Sequence, residues 1–428
     1  MHELTELIKQ DMCPALGVTE PGAIAFAVAT ARKHTTGDIR RIRLRLNSGM
    51  FKNAFTCGIP GSNAVGNAHA AALGAVGADP DKGLECLDGI TPEQARQAQE
   101  LVSKGCVAVE MQEITSRIFI EATVETTLES ACVTIRHSHT NIVKIVKNNV
   151  VVWEKSVEVG ESNEKPPLIH HYTLAQLHDY AQSVPIEELE FLRQAFTINY
   201  ALFEAGLNSS NTIFVHYLLA ANGGTVISED ERKTASLLCN AAIEARVLGL
   251  PKPAMSVTGS GAHGIIATMP LYAAYQVGGY QEESLLRATA LSCLVCMYIK
   301  EYSGKLSAFC GCAIAAGTGM ACGLVLLRGG TTENMAHVID NLAGSITGMI
   351  CDGGNQGCIM KGVIAVDAAW QAVDMAMKNV YVSSIHGIGG ETPEETMRNM
   401  GRIASPGMVG TEKTILNILE EKQRKKEV

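Results

Sequence analysis

The sequence has no clustered basic face. The formal net charge of the 428 residues is -9, and the one basic run is Lys422-Gln423-Arg424-Lys425-Lys426. A phosphate backbone needs a positive groove or stripe, so this balance argues against a nucleic-acid partner. The run itself reads as a solvated helix end. A secretory signal is also missing: Met1 to Gln10 contains no apolar core of the kind such signals carry. The expectation is a cytoplasmic chain whose thiols stay reduced. Internal repeats and low-complexity segments are absent. Charged residues make up only 18% and hydrophobic ones 46%, an ordinary globular composition long enough for two domains. Leu306 to Leu327 carries no charge and could span a bilayer by length. It is built from Gly, Ala, Cys and Thr and has no companion span. We therefore expect a buried central helix and no membrane partner.

What the chain has instead is cysteine, thirteen of them. Several, such as Cys239, Cys293 and Cys296, sit in apolar helical runs and read as small core hydrophobes. The stretch from Ser307 to Lys361 differs. It reads SAFCGCAIAAGTGMACG, a helical run, and then ICDGGNQGCIMKG. Cys351 and Cys358 flank a link with three glycines, which folds the backbone tightly enough for both thiols to face one point. A long helix and a turn would return the Cys310-Gly311-Cys312 element to the same place. Three thiolates suit a soft metal centre, zinc or iron–sulfur, and leave one coordination position open for substrate.

These residues resemble the L-cysteine desulfidase family, which is related to the alpha chain of iron–sulfur L-serine dehydratases. The resemblance extends to MCPALGVTEPGAIAFA, NSGMFKNAF and VTGSGAHGIIATMP, and so spans most of the chain. It implies a [4Fe–4S] cluster held by three thiolates with one iron open to substrate. Cys351 and Cys358 match directly. The third ligand falls on the CGC element, where Cys312 fits better than Cys310. The resemblance also implies that a cysteine at the position of Cys13 lies near the cluster without binding it and acts as the base.

Along the chain, Arg41 to Leu46 (RIRLRL) alternates strictly and predicts a half-buried strand. Ser116 to Thr126, Ala131 to His137, Ile142 to Val146 and Val150 to Trp153 predict further strands, the last two joined at Asn148-Asn149 by a hairpin turn. Thr91 to Lys104 predicts an amphipathic helix. From Tyr172 onward the pattern is helical. The charged, Pro-bearing stretch 161–167 is the linker candidate. The fold class is α+β: an N-terminal mixed α/β domain with antiparallel strands over residues 1–166, then a mainly helical cluster-binding domain over 167–428.

Gly259-Ser260-Gly261-Ala262-His263-Gly264 spells a dinucleotide fingerprint. The strand–helix–strand context that motif needs is missing, so a nest of backbone N–H groups for a substrate carboxylate is the better reading. Ser260 and His263 would line it. Asn47, Ser48, Lys52 and Asn53 form a second polar group at a strand end, and Thr19 with Glu20 a third. Each has a local alternative in turn chemistry or in a helix-end charge. Cys13, before Pro14 at a helix break, and Glu20 are the two candidate bases. The expected activity is a lyase that breaks L-cysteine down to sulfide, ammonia and pyruvate. L-Serine dehydration by the same route is the alternative. A metal or redox sensor without catalysis is the alternative of another class. Lys305 and Lys361 stand in no phosphate cradle, so pyridoxal phosphate is not expected. The partner is a small amino acid, with a homodimer as the default assembly.

Overall fold

The computed structural model describes residues 1–155 and 166–427. Most of the stretch 161–167 therefore lies outside the described residues. Among the described residues eight strands form: β1 (Cys13–Leu16), β2 (Ile39–Asn47), β3 (Val107–Glu113), β4 (Phe119–Thr126), β5 (Ser130–Arg136), β6 (Ile142–Lys147), β7 (Val150–Glu154) and β8 (Pro253–Ser256). Six of them make one sheet in the order β3-β2-β4-β5-β6-β7. All neighbours are antiparallel except β2 and β3. The alternation in β2 dictates its two faces. Ile42, Leu44 and Leu46 are fully buried. Arg43 and Arg45 point to solvent and pair with Glu125 and Glu121 of β4. The hairpin between β6 and β7 turns through Asn148 and Asn149 at φ 49° and 66°, the left-handed region that asparagine tolerates.

The buried face of the sheet is covered by the helix Thr19–Lys33, an Ala-rich segment buried on nearly all sides. The rest of the chain is mainly helical. Its centre is formed by the helices Glu231–Val247, Gly261–Gly278, Glu282–Ser303 and Gly317–Leu327, each buried along most of its length. The fold is thus α+β, as the pattern of segments predicted. The 306–327 run is not one helix. Phe309 bridges to Ile350, a π-turn covers Cys312–Ala316, and only Gly317–Leu327 is α-helical. Among the described residues no helix is long and apolar enough to cross a membrane.

Among the described residues two large apolar cores and a small cluster of Ala308, Ile415 and Leu419 result, and the chain ends cross between the two large ones. Leu4 and Ile8 pack into the helical core, while Leu306 and Leu416 pack with the sheet. β1 pairs with β8, antiparallel, with Cys13 opposite Ser256. Residues near position 15 are therefore fixed beside residues near position 255. The C-terminal helix Val409–Glu427 is fastened by an ion pair between Lys52 and Glu412 at 2.7 Å. Both side chains are almost completely buried.

Removing one partner of a buried pair leaves an unpaired charge in low dielectric, at a cost of about 3–5 kcal/mol. Lys52→Met should accordingly lower the thermal midpoint by many degrees, as read by circular dichroism. The double variant Lys52→Met with Glu412→Leu should recover part of that loss. Equal losses in the single and the double variant would show that the pair contributes nothing of its own.

Candidate iron–sulfur and substrate site

Two backbone segments bring the cysteines together. Phe309 and Ile350 form a short antiparallel bridge. Next to it Cys310 N–H donates to Met349 O at 3.0 Å and Cys351 N–H donates to Ala308 O at 2.6 Å. Cys312 opens the π-turn two residues on. Cys358 lies in the first turn of the helix Gly357–Ala376. The link between Cys351 and Cys358 is held by Asn355, whose Oδ1 accepts from Gly357 N–H at 2.7 Å. Gly353 has φ +111°, and a β-carbon there would lie 2.6 Å from Lys52 O. Only glycine fits.

The four thiols act on one another. Cys312 hydrogen-bonds Cys310 and, against the cost of burial, draws the Cys310 thiol down to about 7. The same contact and burial hold Cys312 well above the ordinary thiol range. Burial also raises Cys351, partly offset by the Lys52 ammonium, and pushes Cys358 up to about 11. Among the described residues no three His, Cys, Asp or Glu side chains are gathered tightly enough for a single metal ion. A closed zinc site would require its ligands about 2.0–2.3 Å from one point. A cluster whose thiolates sit on separate iron corners takes a wider set, and the four thiols supply it. Cations surround them: Lys361, paired with Asp352; Lys52; and Lys300, whose Cδ lies 3.1 Å from where a β-carbon at Gly311 would stand. Such charges offset anionic thiolates in a buried setting. The donor set fits an iron–sulfur cluster.

A polar wall lies against the cysteines. Asn53 bridges it: its Nδ2 donates to Glu20 Oε1 at 2.8 Å, and its Oδ1 faces Cys351 Sγ at 3.9 Å. Glu20 is buried, with His139 Nε2 4.0 Å away. Thr19 Oγ1 accepts from Arg246 Nη2 at 3.4 Å. The glycine loop closes the group. Gly259, at φ +76°, rests on His139, and Gly261 rests on Arg246. His263 Nδ1 and Thr258 Oγ1 are 2.6 Å apart, and His263 Nε2 abuts Gly311. Burial, with the cations Lys300 and Arg246 adding to it, holds His263 well below the ordinary imidazole range. β8 before the loop is four residues long and pairs only with β1, so no dinucleotide-type βαβ unit surrounds the motif.

The structure thus gathers Thr19, Glu20, Asn53, Gly259, Ser260, Gly261, His263, Cys312, Cys351 and Cys358. Asn47 and Ser48 are turned elsewhere. Their side chains serve the chain at 115–119, Asn47 to Thr115 O and Phe119 N–H, Ser48 to Thr115. Lys52 directs its ammonium to Ser307 O, Cys351 O and Glu412. It positions the cysteine segments, with its three protons taken by protein oxygens. Cys13 is exposed, and its Sγ lies 3.3 Å from Ser256 Oγ.

Sequence reading missed His139, Arg246, Lys300 and Cys57. Cys57 is fully buried, and the charges of Glu20, Arg246 and Cys358 all act on it. Arg246 had a signal: a charged residue inside an apolar run buried all round needs a partner. Its neighbour Glu244 is not that partner, because the Glu244 carboxylate accepts from the N–H groups of Ile213, Phe214 and Val215. A cleft of about 1000 Å³ opens beside the group, lined by Asn63, Val247, Asn355 and Gly357 among others. Val247 and Gly357, which line it, adjoin Arg246 and Cys358 in the chain.

Comparison with known proteins places this geometry. Residues 81–417 match the family model described as serine dehydratase alpha chain. A UPF0597 protein of Clostridium botulinum is 40% identical over 433 aligned residues, covering 98% of this chain and 99% of that one. A UPF0597 protein of Caldanaerobacter subterraneus is 35% identical, with 98% of each chain covered. One of Aeromonas hydrophila is also 35% identical, with 98% of this chain and 96% of that one covered. The match takes in the cysteine segments and the glycine loop together, and the chain belongs to the serine dehydratase alpha chain family.

Proposed function

We propose that this chain is an iron–sulfur α,β-lyase that breaks L-cysteine down to sulfide, ammonia and pyruvate. One observation carries the reading: Asn53 joins the buried Glu20 carboxylate to the Cys351 thiol, and the His263 imidazole abuts Gly311 between Cys310 and Cys312. A sensor would instead present its thiols to solvent. Cys312, Cys351 and Cys358 would hold a [4Fe–4S] cluster, with Cys310 the rival of Cys312. When bound, the cluster supplies a Lewis-acidic iron to substrate oxygen or sulfur. L-Serine is the second substrate, favoured by the description of the matched family.

The chain's own groups supply the remaining chemistry. The nest at Gly259–Gly261 takes the carboxylate of the amino acid. Glu20 accepts the Cα proton; its carboxylate is oriented by Asn53 and shielded from water. The Cα electrons form the double bond as the Cβ–S bond breaks, and sulfide departs with the sulfur electron pair. The aminoacrylate tautomerises to the imine, and water converts this to pyruvate and ammonia. His263, held through Nδ1 by Thr258, can hydrogen-bond the departing group through Nε2. Cys13 remains the second candidate base. Its exposure and its place on β1 favour Glu20 over it.

Variants separate these roles. Cys351→Ala and Cys358→Ala should each lose iron together with the visible absorption of anaerobically purified protein; full iron content in either would remove it as a ligand. Of Cys310→Ala and Cys312→Ala, we expect only the second to lose the cluster, and the reverse result would move the ligand by two residues. Glu20→Gln should keep its iron and lose turnover by about 100-fold or more, the usual contribution of a positioned base. If Glu20→Gln turns over normally while Cys13→Ser does not, the base is Cys13.

A further inference from the structure

The feature that the account above leaves unused is Arg246. It lies in the last turn of the helix Glu231–Val247 and is only 4% exposed. A guanidinium is always charged, and burying it without a counter-charge is costly. Yet no carboxylate of the described residues pairs with it. Its bond to Thr19 is long at 3.4 Å, and its Nε has no partner. That Nε lies 2.7 Å from where a β-carbon at Gly261 would stand. Gly261 is the first residue of the helix Gly261–Gly278, and Ser260 at its cap makes no side-chain bond to the leading N–H groups. An unpartnered, buried cation therefore faces an uncapped helix start across a gap that only glycine leaves open.

We propose that Arg246 is the carboxylate-binding residue of this site, acting with the leading N–H groups of the Gly261–Gly278 helix. The inference rests on the amino-acid lyase reading and makes its substrate class definite: an α-amino acid with a free carboxylate. The other buried cations are committed elsewhere. Lys300 lies under Gly311, Lys52 holds Cys351 O, and Lys361 pairs with Asp352. Among the described residues, Arg246 is the cation that Gly261 touches. The planar fork suits a carboxylate bound by two parallel hydrogen bonds. The same arrangement sorts the opposite end of the substrate. Glu20 adjoins Thr19, and His139 Nε2 is a second buried atom without a partner. His139, against which Gly259 rests, would take the ammonium group, and Glu20 stays free to accept the Cα proton. With both ends held, the β-substituent is left to point toward the cysteines.

The test is equilibrium binding to the full chain, purified anaerobically with its iron content recorded. L-Alanine, which has no leaving group, is the probe for the whole frame. L-Alaninamide lacks the negative charge, and propionate lacks the ammonium. Arg246→Met should weaken L-alanine and propionate by roughly 30-fold or more and L-alaninamide by less than about twofold, with iron unchanged. Should Arg246→Met fail to fold, Arg246→Lys carries the test. It keeps the charge but loses the fork, so L-alanine should weaken while L-alaninamide does not. Unaltered L-alanine and propionate affinity in these variants would overturn the assignment. So would an equal loss for L-alaninamide, since that would mean a structural role. If propionate binding depends on Arg246 but no α-amino acid binds the unaltered protein, the carboxylate assignment stands and the amino-acid lyase reading falls.

Discussion

One ammonium group ties the molecule together at its centre. Lys52 Nζ reaches Ser307 O at 3.2 Å, Cys351 O at 2.8 Å and Glu412 Oε2 at 2.7 Å. Those oxygens come from the two cysteine-bearing segments and from the C-terminal helix. Lys52 itself sits on the short helix Ser48–Asn53, which follows directly on β2. The sheet, the cysteines and the chain end are therefore fixed to one buried charge. The next residue, Asn53, carries the bridge from Glu20 to Cys351. A shift of this short helix would move the general-base candidate and a ligand candidate at once. Precision of this kind, about half an ångström, is what catalysis by positioning demands.

The site is also defined by charges that the protein does not pair within itself. Lys300 is 2% exposed and Arg246 4%, and neither has a carboxylate partner among the described residues. In low dielectric such charges are tolerated only when something anionic shares the space. Lys300 lies against the cysteine segment; burial lowers its basicity, and Cys296, Cys312 and Cys351 act against that shift. Arg246 lies against the glycine loop and calls for a ligand. The neutral histidines fit the same scheme. Burial lowers both His139 and His263; the nearby cations add to it at His263, whereas at His139 the Glu20 carboxylate opposes it. They can thus hydrogen-bond substrate without adding positive charge.

Local pattern carried a good part of this in advance. RIRLRL announced β2 and its two faces, Asn148-Asn149 announced the hairpin, and CDGGNQGC announced a tight link in which Gly353 packs on Lys52 O and Gly354 on Asn53 O. The CGC element and that link do converge, because a two-residue bridge at Phe309 and Ile350 joins them. What local pattern could not carry was pairing at long range. β3 runs parallel to β2 through a helical crossover, and its burial shows no clean alternation. β1 and β8 are four residues each and stand about 240 positions apart. Asn47, Ser48 and Lys52 were visible as a polar group, but their direction depends on partners at 115, 307 and 412. His139 and Arg246 lie far from any motif and become legible only when the loop at Gly259 is seen resting on them.

The central claim is that these thiols hold a [4Fe–4S] cluster whose open iron meets the amino acid. Mössbauer spectroscopy of 57Fe-enriched, anaerobically purified protein tests it most directly, before and after addition of L-cysteine or L-serine. The account predicts about four irons per chain with one site distinct from the other three, and a change confined to that site on adding substrate. Protein that binds zinc or no metal under these conditions, or a cluster whose four irons are all indifferent to both amino acids, would contradict it.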